Sequence, residues 1–178
     1  MDAAAWAFQL VLFILPAYFA NSVPVLLGGG APMDRGREWC DGRRLFGDGK
    51  TTRGFFAGVL AGVAVGALEG MLLSGTAFDI YGSSMQAYAL AGLLLGLGAM
   101  LGDLAGSFIK RRRGLARGRP SLVMDQLLFL ALALVFAYPL APSLLTLEAV
   151  LFLAVLTYFV HVGANVAANR LGLKKVPW

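Results

Sequence analysis

Asp103, Gly106, Ser107 and Lys110 stand at i, i+3, i+4 and i+7, so a helix presents a carboxylate, a hydroxyl and an ammonium on one face. Lys110 opens the run Lys110-Arg111-Arg112-Arg113, and Asp125 follows on the far side of it. Two carboxylates flanking a cluster of cations have the composition of a Mg²⁺–phosphate site. Hard oxygens hold the metal, the substrate's phosphates share it, and cations neutralise the remaining charge. Each carboxylate also has a plainer reading. Asp103 can pair with a nearby arginine, and Asp125 in the first turn of a helix is favoured by the helix dipole.

A second polar cluster is DRGREWCDGRRLFGDGKTTRG, from Asp34 to Gly54, which carries ten of the chain's acidic and basic residues. Its glycines let backbone N–H groups approach phosphate, and Arg43, Arg44, Lys50 and Arg53 supply positive charge beside Thr51. Asp34 is a further, weaker metal candidate, and Asn21, upstream, is a candidate contact to nucleotide or metal. A third set, His161, Asn165 and Asn169, lies at i, i+4 and i+8. That stripe fits hydrogen bonding across helices as well as a ligand site.

Two familiar nucleotide motifs are excluded. A P-loop needs G-x-x-x-x-G-K-[ST] after a strand. Here Arg44 stands at the first glycine of RRLFGDGKT, and no strand precedes it. The CDP-alcohol phosphotransferase pattern D-G-x-x-A-R begins correctly at Asp41-Gly42 and then meets Leu45-Phe46.

The elements that carry these residues are apolar. Of 178 residues, 58% are hydrophobic and 14% charged, against about a quarter charged in soluble domains. Crossing a bilayer core takes roughly 20 mostly apolar residues. Five segments qualify, near Ala3–Ala20, Phe55–Leu73, Met85–Ile109, Leu122–Leu140 and Leu147–Ala168. In lipid the backbone must satisfy itself, so all five are expected as helices. The N-terminal stretch has no basic leader region and reads as a retained span. Glu69 and Glu148 fall toward the outer side and carry no assigned chemistry. The lone Cys40 rules out an internal disulfide.

The basic residues set the orientation. Loop 28–54 holds six, loop 110–120 six and the C-terminal tail three, which accounts for all fifteen. Five spans put these segments on one side, and positive charge marks the cytoplasm. The expectation is an all-α integral membrane protein of five transmembrane helices. Its N-terminus lies outside and its C-terminus in the cytoplasm, with a large cytoplasmic polar loop between the first two helices. Residues 1–178 form one transmembrane catalytic domain, with cytoplasmic loops at about 28–54 and 110–120. The pI near 9.7 reflects this topology and anionic headgroups rather than nucleic acid, since the cations adjoin membrane spans.

Gly54, Gly58, Gly62, Gly66 and Gly70 recur every fourth residue of the second span. The third carries Gly92 and Gly96, and Gly98, Gly102 and Gly106. Such ridges let helix backbones approach closely. Helix packing is the plainer reading; a smooth groove or wall for a lipid chain entering between glycine-lined helices is the functional one.

The stretches ANSVPVLLGGGAPMDRG, DGRRLFGDGKTTRG, GDLAGSFIKRR and the closing KKVPW resemble the CDP-archaeol synthases, archaeal membrane cytidylyltransferases. The third span also resembles bacterial CDP-diacylglycerol synthases: Ser107, Lys110 and Arg111 match the opening S-x-x-K-R, and Asp125 the closing Asp. The chain departs from that second signature at Ala116-Arg117 and at PSLVMDQ, which lacks the His-Gly-Gly run. The resemblance implies that CTP and 2,3-bis-O-geranylgeranyl-glycerol 1-phosphate give an unsaturated CDP-archaeol and pyrophosphate, with Mg²⁺ as cofactor. CTP, an isoprenoid ether-lipid phosphate and membrane lipids are the expected partners, at a cell membrane, with the site on the cytoplasmic side. In this scheme Asp103 and Asp125 hold the metal. Asn21, Arg43, Arg44, Lys50, Thr51 and Arg53 hold the nucleotide, and Lys110, Ser107 and Arg111 sit near the lipid phosphate. A small transporter or channel for an anionic solute is the alternative, although its usual paired repeats and midplane broken helices are not evident.

Overall fold

The computed structural model describes residues 2–115 and 124–173, without the side chains of 124–126. Among the described residues five α-helices run in order: α1 Ala3–Leu27, α2 Thr52–Leu73, α3 Met85–Arg112, α4 Met124–Ala137 and α5 Leu147–Arg170, with a 3-10 turn at Tyr138–Leu140. Among the described residues there is no strand, only two isolated bridges, Pro32 with Thr51 and Glu38 with Arg44. α1, α2, α3 and α5 are long and apolar enough to cross a membrane, while the described part of α4 is shorter. The expected fourth span, Leu122–Leu140, begins outside the described residues.

Local chemistry starts four of the helices. Asp2, Thr51, Ser84 and Thr146 each accept a hydrogen bond from the N–H three residues on, those of Ala5, Gly54, Ala87 and Ala149. This satisfies an amide that the helix itself cannot. α1 runs on past its expected end at Ala20, through Asn21 and Pro24 to Leu27. Pro24 has no N–H for the carbonyl of Ala20. That carbonyl turns instead toward Gly58 of α2, where an added Cβ would stand 2.6 Å from it. The glycine of the neighbour thus makes room for the group that proline leaves unpaired.

The glycine ridges are consumed in the same way. A Cβ on Gly62 would meet Gly92 O at 2.7 Å, and one on Gly92 would meet Gly62 O at 2.4 Å. Gly66 lies against Tyr88 O and Gly92. The second ridge of α3 faces α4: Gly98 is pressed on Leu132 and Ala133, and Gly102 on Leu128 and Phe129. All five α2 ridge glycines are buried. The expectation that a lipid chain runs between glycine-lined helices is therefore corrected, because helix backbones occupy that space. Close packing supplies the van der Waals contact that holds helices together in lipid.

The core lies between α1, α3 and α4, around Leu10, Phe13, Ile14, Leu95, Ala99, Phe129 and Ala133. α5 rests on it through one short stripe, Ala149, Leu153 and Thr157, its only buried residues. At the far end, the α2–α3 turn is tied by Asp79. Its carboxylate accepts from Gly75 N, Tyr81 N and the hydroxyls of Ser83 and Tyr88. Glu69 is buried in α2, and its Oε1 has no hydrogen-bond partner among the described residues.

Candidate active site

The loop between α1 and α2 is folded. Met33 N donates to Lys50 O at 2.8 Å and Thr52 N to Ala31 O at 3.3 Å, which closes its base. Inside it, Trp39 N donates to Arg43 O and Leu45 N to Arg37 O, around a turn at Asp41-Gly42. Gly42 has φ +71°, the left-handed region that glycine enters without strain.

Asp34 organises this fold. Its side chain is wholly buried. Oδ2 accepts from Phe46 N at 3.0 Å, Gly47 N at 2.8 Å and Arg44 Nε at 3.2 Å. Oδ1 accepts from Arg44 Nη2 at 2.5 Å and Gly36 N at 3.2 Å. Burial by itself raises this carboxyl. The Arg44 guanidinium and the N–H groups of Gly47, Phe46 and Gly36 override it and hold it well below the usual carboxylate range. With five donors on its two oxygens, Asp34 has no room for a metal, and its expected metal role is corrected to a structural one. Arg44 spends Nη1 on Asp48 at 2.9 Å, so its guanidinium serves the loop as well.

Two arginines and a ring contact dock the loop on the end of α3. Arg43 Nη1 donates to the carbonyls of Arg112 at 2.6 Å and Arg111 at 3.4 Å, in the last turn of the helix, where carbonyls lack the regular intrahelical donor. Arg112 answers with Nη2 on the carbonyls of Arg43 and Arg44 and Nη1 on Asp41 at 2.7 Å. The same guanidinium lies 4.8 Å from the Phe108 ring centre, and Trp39 meets that ring edge-on at 5.5 Å. Arg112 had no assigned role from sequence. The only signal is its place four residues after Phe108, on the same helical face.

Lys50 forms the junction with the α3 stripe. Its Nζ lies 2.7 Å from Asp103 Oδ1 and 2.5 Å from Oδ2, and both side chains are partly exposed. Thr51 is the N-cap of α2, and Arg53 holds the end of α1 by donating to the carbonyls of Leu27 and Gly28. Ser107 is buried on the Asp103 face of α3, while Lys110 and Arg111 are half-buried further along it. Asn21 is separate from this group: it lines a cleft between α1 and α5 together with His161 and Asn165. The side chain of Asp125 lies outside the described residues.

Asp103 suits a hard divalent cation. It is an oxygen donor, it is accessible, and both its oxygens already face a positive charge, the Lys50 ammonium. Among the described residues no three His, Cys, Asp or Glu side chains gather. Mg²⁺ does not require that many, since it commonly takes one or two carboxylates and completes its shell with phosphates and water.

The sequence profile of the CarS-like CDP-archaeol synthases matches residues 4–178. The chain belongs to this family. The CDP-archaeol synthase of Thermococcus kodakarensis is 54% identical over 178 residues, which is 100% of this chain and 98% of that one. The synthase of Methanocaldococcus jannaschii is 42% identical, over 96% of this chain and 97% of its own. A solved structure of an intramembrane enzyme for archaeal membrane lipid biosynthesis superposes with a TM-score of 0.75 at 39% identity, covering 88% of this chain and 92% of that one. With its apolar helices, this CDP-archaeol synthase family member is a multi-pass membrane protein.

Proposed function

We propose that this chain transfers the cytidylyl group of CTP to 2,3-bis-O-geranylgeranyl-glycerol 1-phosphate, releasing pyrophosphate and an unsaturated CDP-archaeol, with Mg²⁺. Family membership makes it a CTP-dependent nucleotidyltransferase of archaeal membrane-lipid synthesis, and the transporter alternative is not favoured. The observation that carries the finer reading is Asp103. It is an accessible carboxylate on a membrane-spanning helix, gripping a cation directly beneath a folded, arginine-rich loop.

The lipid phosphate is already an anion, so its attack needs no strong general base. Its oxygen adds to the α-phosphorus of CTP, the bond to the β-phosphate oxygen breaks, and pyrophosphate leaves with that electron pair. Positioning and charge neutralisation then supply most of the rate. Mg²⁺ bound by Asp103, with Asp125 as second ligand, would supply neutralisation of the phosphate oxygens. Lys50 turns from Asp103 to the triphosphate. Lys110 and Arg111, with the Ser107 hydroxyl, orient the lipid phosphate. Arg43, Arg44, Thr51 and Arg53 set the loop and its backbone amides in place, whatever direct contacts they add. The positive charge of the loop segments supports five spans with the N-terminus outside and a site open to cytoplasmic CTP.

The test is Asp103→Asn in purified protein, assayed for transfer of label from CTP into an organic-soluble product with Mg²⁺. Activity is expected to fall by at least about a thousandfold, with detergent-stable folding retained. Activity near that of the parent would remove Asp103 from the metal role.

A further inference from the structure

The bundle closes around α1, α3 and α4, yet one seam opens at the end where the loop docks. On α5 burial follows Ala149, Leu153 and Thr157 and stops there. The Thr157 hydroxyl shares a 2.8 Å hydrogen bond with the Tyr18 hydroxyl of α1. Both residues line a cleft of about 200 Å³ between α1 and α5. Phe129 of α4 lies beneath, 5.7 Å from the His161 ring. Asn21 and Leu26 of α1 face Val160, His161, Ala164 and Asn165 of α5 across the gap. From Asn21, α1 leads within two turns to Leu27 and Gly28, whose carbonyls the loop's Arg53 holds.

We propose that this cleft is the lateral portal and seat for the lipid substrate, taking the uncharged glycerol-ether region and the first part of its chains. The proposal rests on the cytidylyltransferase reading above. The substrate class has three zones, namely an anionic phosphate, acceptor-only ether oxygens and apolar chains, and the protein divides its side chains accordingly. Cations lie on the loop and at the end of α3. The polar side chains lining the cleft include no Lys, Arg, Asp or Glu; they are the amides of Asn21 and Asn165, the hydroxyls of Tyr18, Ser22 and Thr157, and the imidazole of His161. An amide such as that of Asn21 donates N–H to ether oxygens, which carry no charge and cannot donate in return. The rest of the lining is apolar, aliphatic at Val25, Leu26, Val160, Ala164 and Leu173 and aromatic at Phe129, and suits the chains. The glycine-ridged seams α2–α3 and α3–α4 are shut by backbone contact, so neither offers a chain a path between helices.

Two measurements test this. First, a diether-glycerol phosphate bearing a photoreactive diazirine near the glycerol is cross-linked to the intact protein in lipid vesicles, and the labelled peptides are mapped. Labels are expected on 21–27 and 160–168; labels confined to α2 and α3 would overturn the proposal. Second, Ala164→Trp, which fills the cleft, is expected to raise the lipid KM by about tenfold or more while the CTP KM stays within about twofold. An unchanged lipid KM would overturn the portal. Val160→Trp serves if the first variant does not fold, and the cross-link on the parent protein decides independently of either. If the parent itself moves no label from CTP to any prenylated or acylated lipid phosphate, the cytidylyltransferase reading fails. If the parent is active but the cleft variants keep the parental lipid KM, only the portal fails.

Discussion

Replacing Asp34 by Asn removes one charge from the centre of the loop while keeping the side chain's shape. The best placement of the new amide puts its NH₂ at the Oδ1 position and keeps an oxygen toward Phe46 and Gly47. The bonds from Arg44 Nη2 and Gly36 N are then lost, because donors face a donor. Hydrogen bonds to a charged partner contribute about 1.5–3 kcal/mol each, so two at the low end cost about 3 kcal/mol. That raises the population of the opened loop by about a hundredfold. The loss stays local, since the hydrophobic core between α1, α3 and α4 does not include the loop's buried carboxylate. Amide hydrogen exchange is the assay. Protection of the Gly36, Phe46 and Gly47 amides should fall by about two orders of magnitude, while the core amides of α3 keep theirs. The CTP KM should rise in step, because an opened loop presents its cations to phosphate only part of the time. The sign of the pH dependence follows from the depressed carboxyl. The stabilisation is present above the ordinary Asp value and is lost as pH falls through the lower folded-state value. Protection at these amides within about threefold of the parent would refute the reasoning.

Lys50→Ala should raise the CTP KM by about tenfold or more while leaving the lipid KM unchanged, measured by initial rates with each substrate varied. An equal effect on both substrates would place Lys50 elsewhere. Gly62→Leu should abolish detergent-stable folding, read as lost monodispersity and a lowered Tm, because even a Cβ would sit 2.7 Å from Gly92 O and 2.9 Å from Gly96 Cα. Asp79 is held at about 2 by the Ser83 hydroxyl, Gly75 N–H, Tyr81 N–H and the Tyr88 hydroxyl, against its partial desolvation. The order of the α2–α3 turn should therefore persist above about pH 4 and fade as pH drops toward that value. Near-UV circular dichroism of its tyrosines reports this, and Asp79→Asn should lack the transition.

The placing of the helices was largely legible from composition. Long apolar runs with at most one charged residue each anticipated the helices, and the expected starts at Ala3, Met85 and Leu147 are those of α1, α3 and α5. Lipid leaves an apolar run of that length no other structure, which is why the inference is strong. The end of α1 was not legible. Asn21 and Pro24 look like stop signals, and only the presence of Gly58 beside the freed Ala20 carbonyl lets the helix continue. The four Ser, Thr and Asp caps were written in the sequence, each three residues before the N–H it accepts.

Residue type alone identified which side chains have phosphate and metal chemistry, and it placed Asp103, Ser107 and Lys110 on one face. It could not say which of the loop's many ions face one another. Asp34 and Asp103 are the same residue type in equally cationic surroundings. One became the buried anchor of the loop with five donors, and the other stayed accessible beneath Lys50. The ridges have the same history. Their spacing dictates close approach, but only the folded bundle shows that helices take both seams while, among the described residues, a cleft remains between α1 and α5. Periodicity along a chain specifies what a surface can accept; which neighbour arrives there is decided by packing across the bundle.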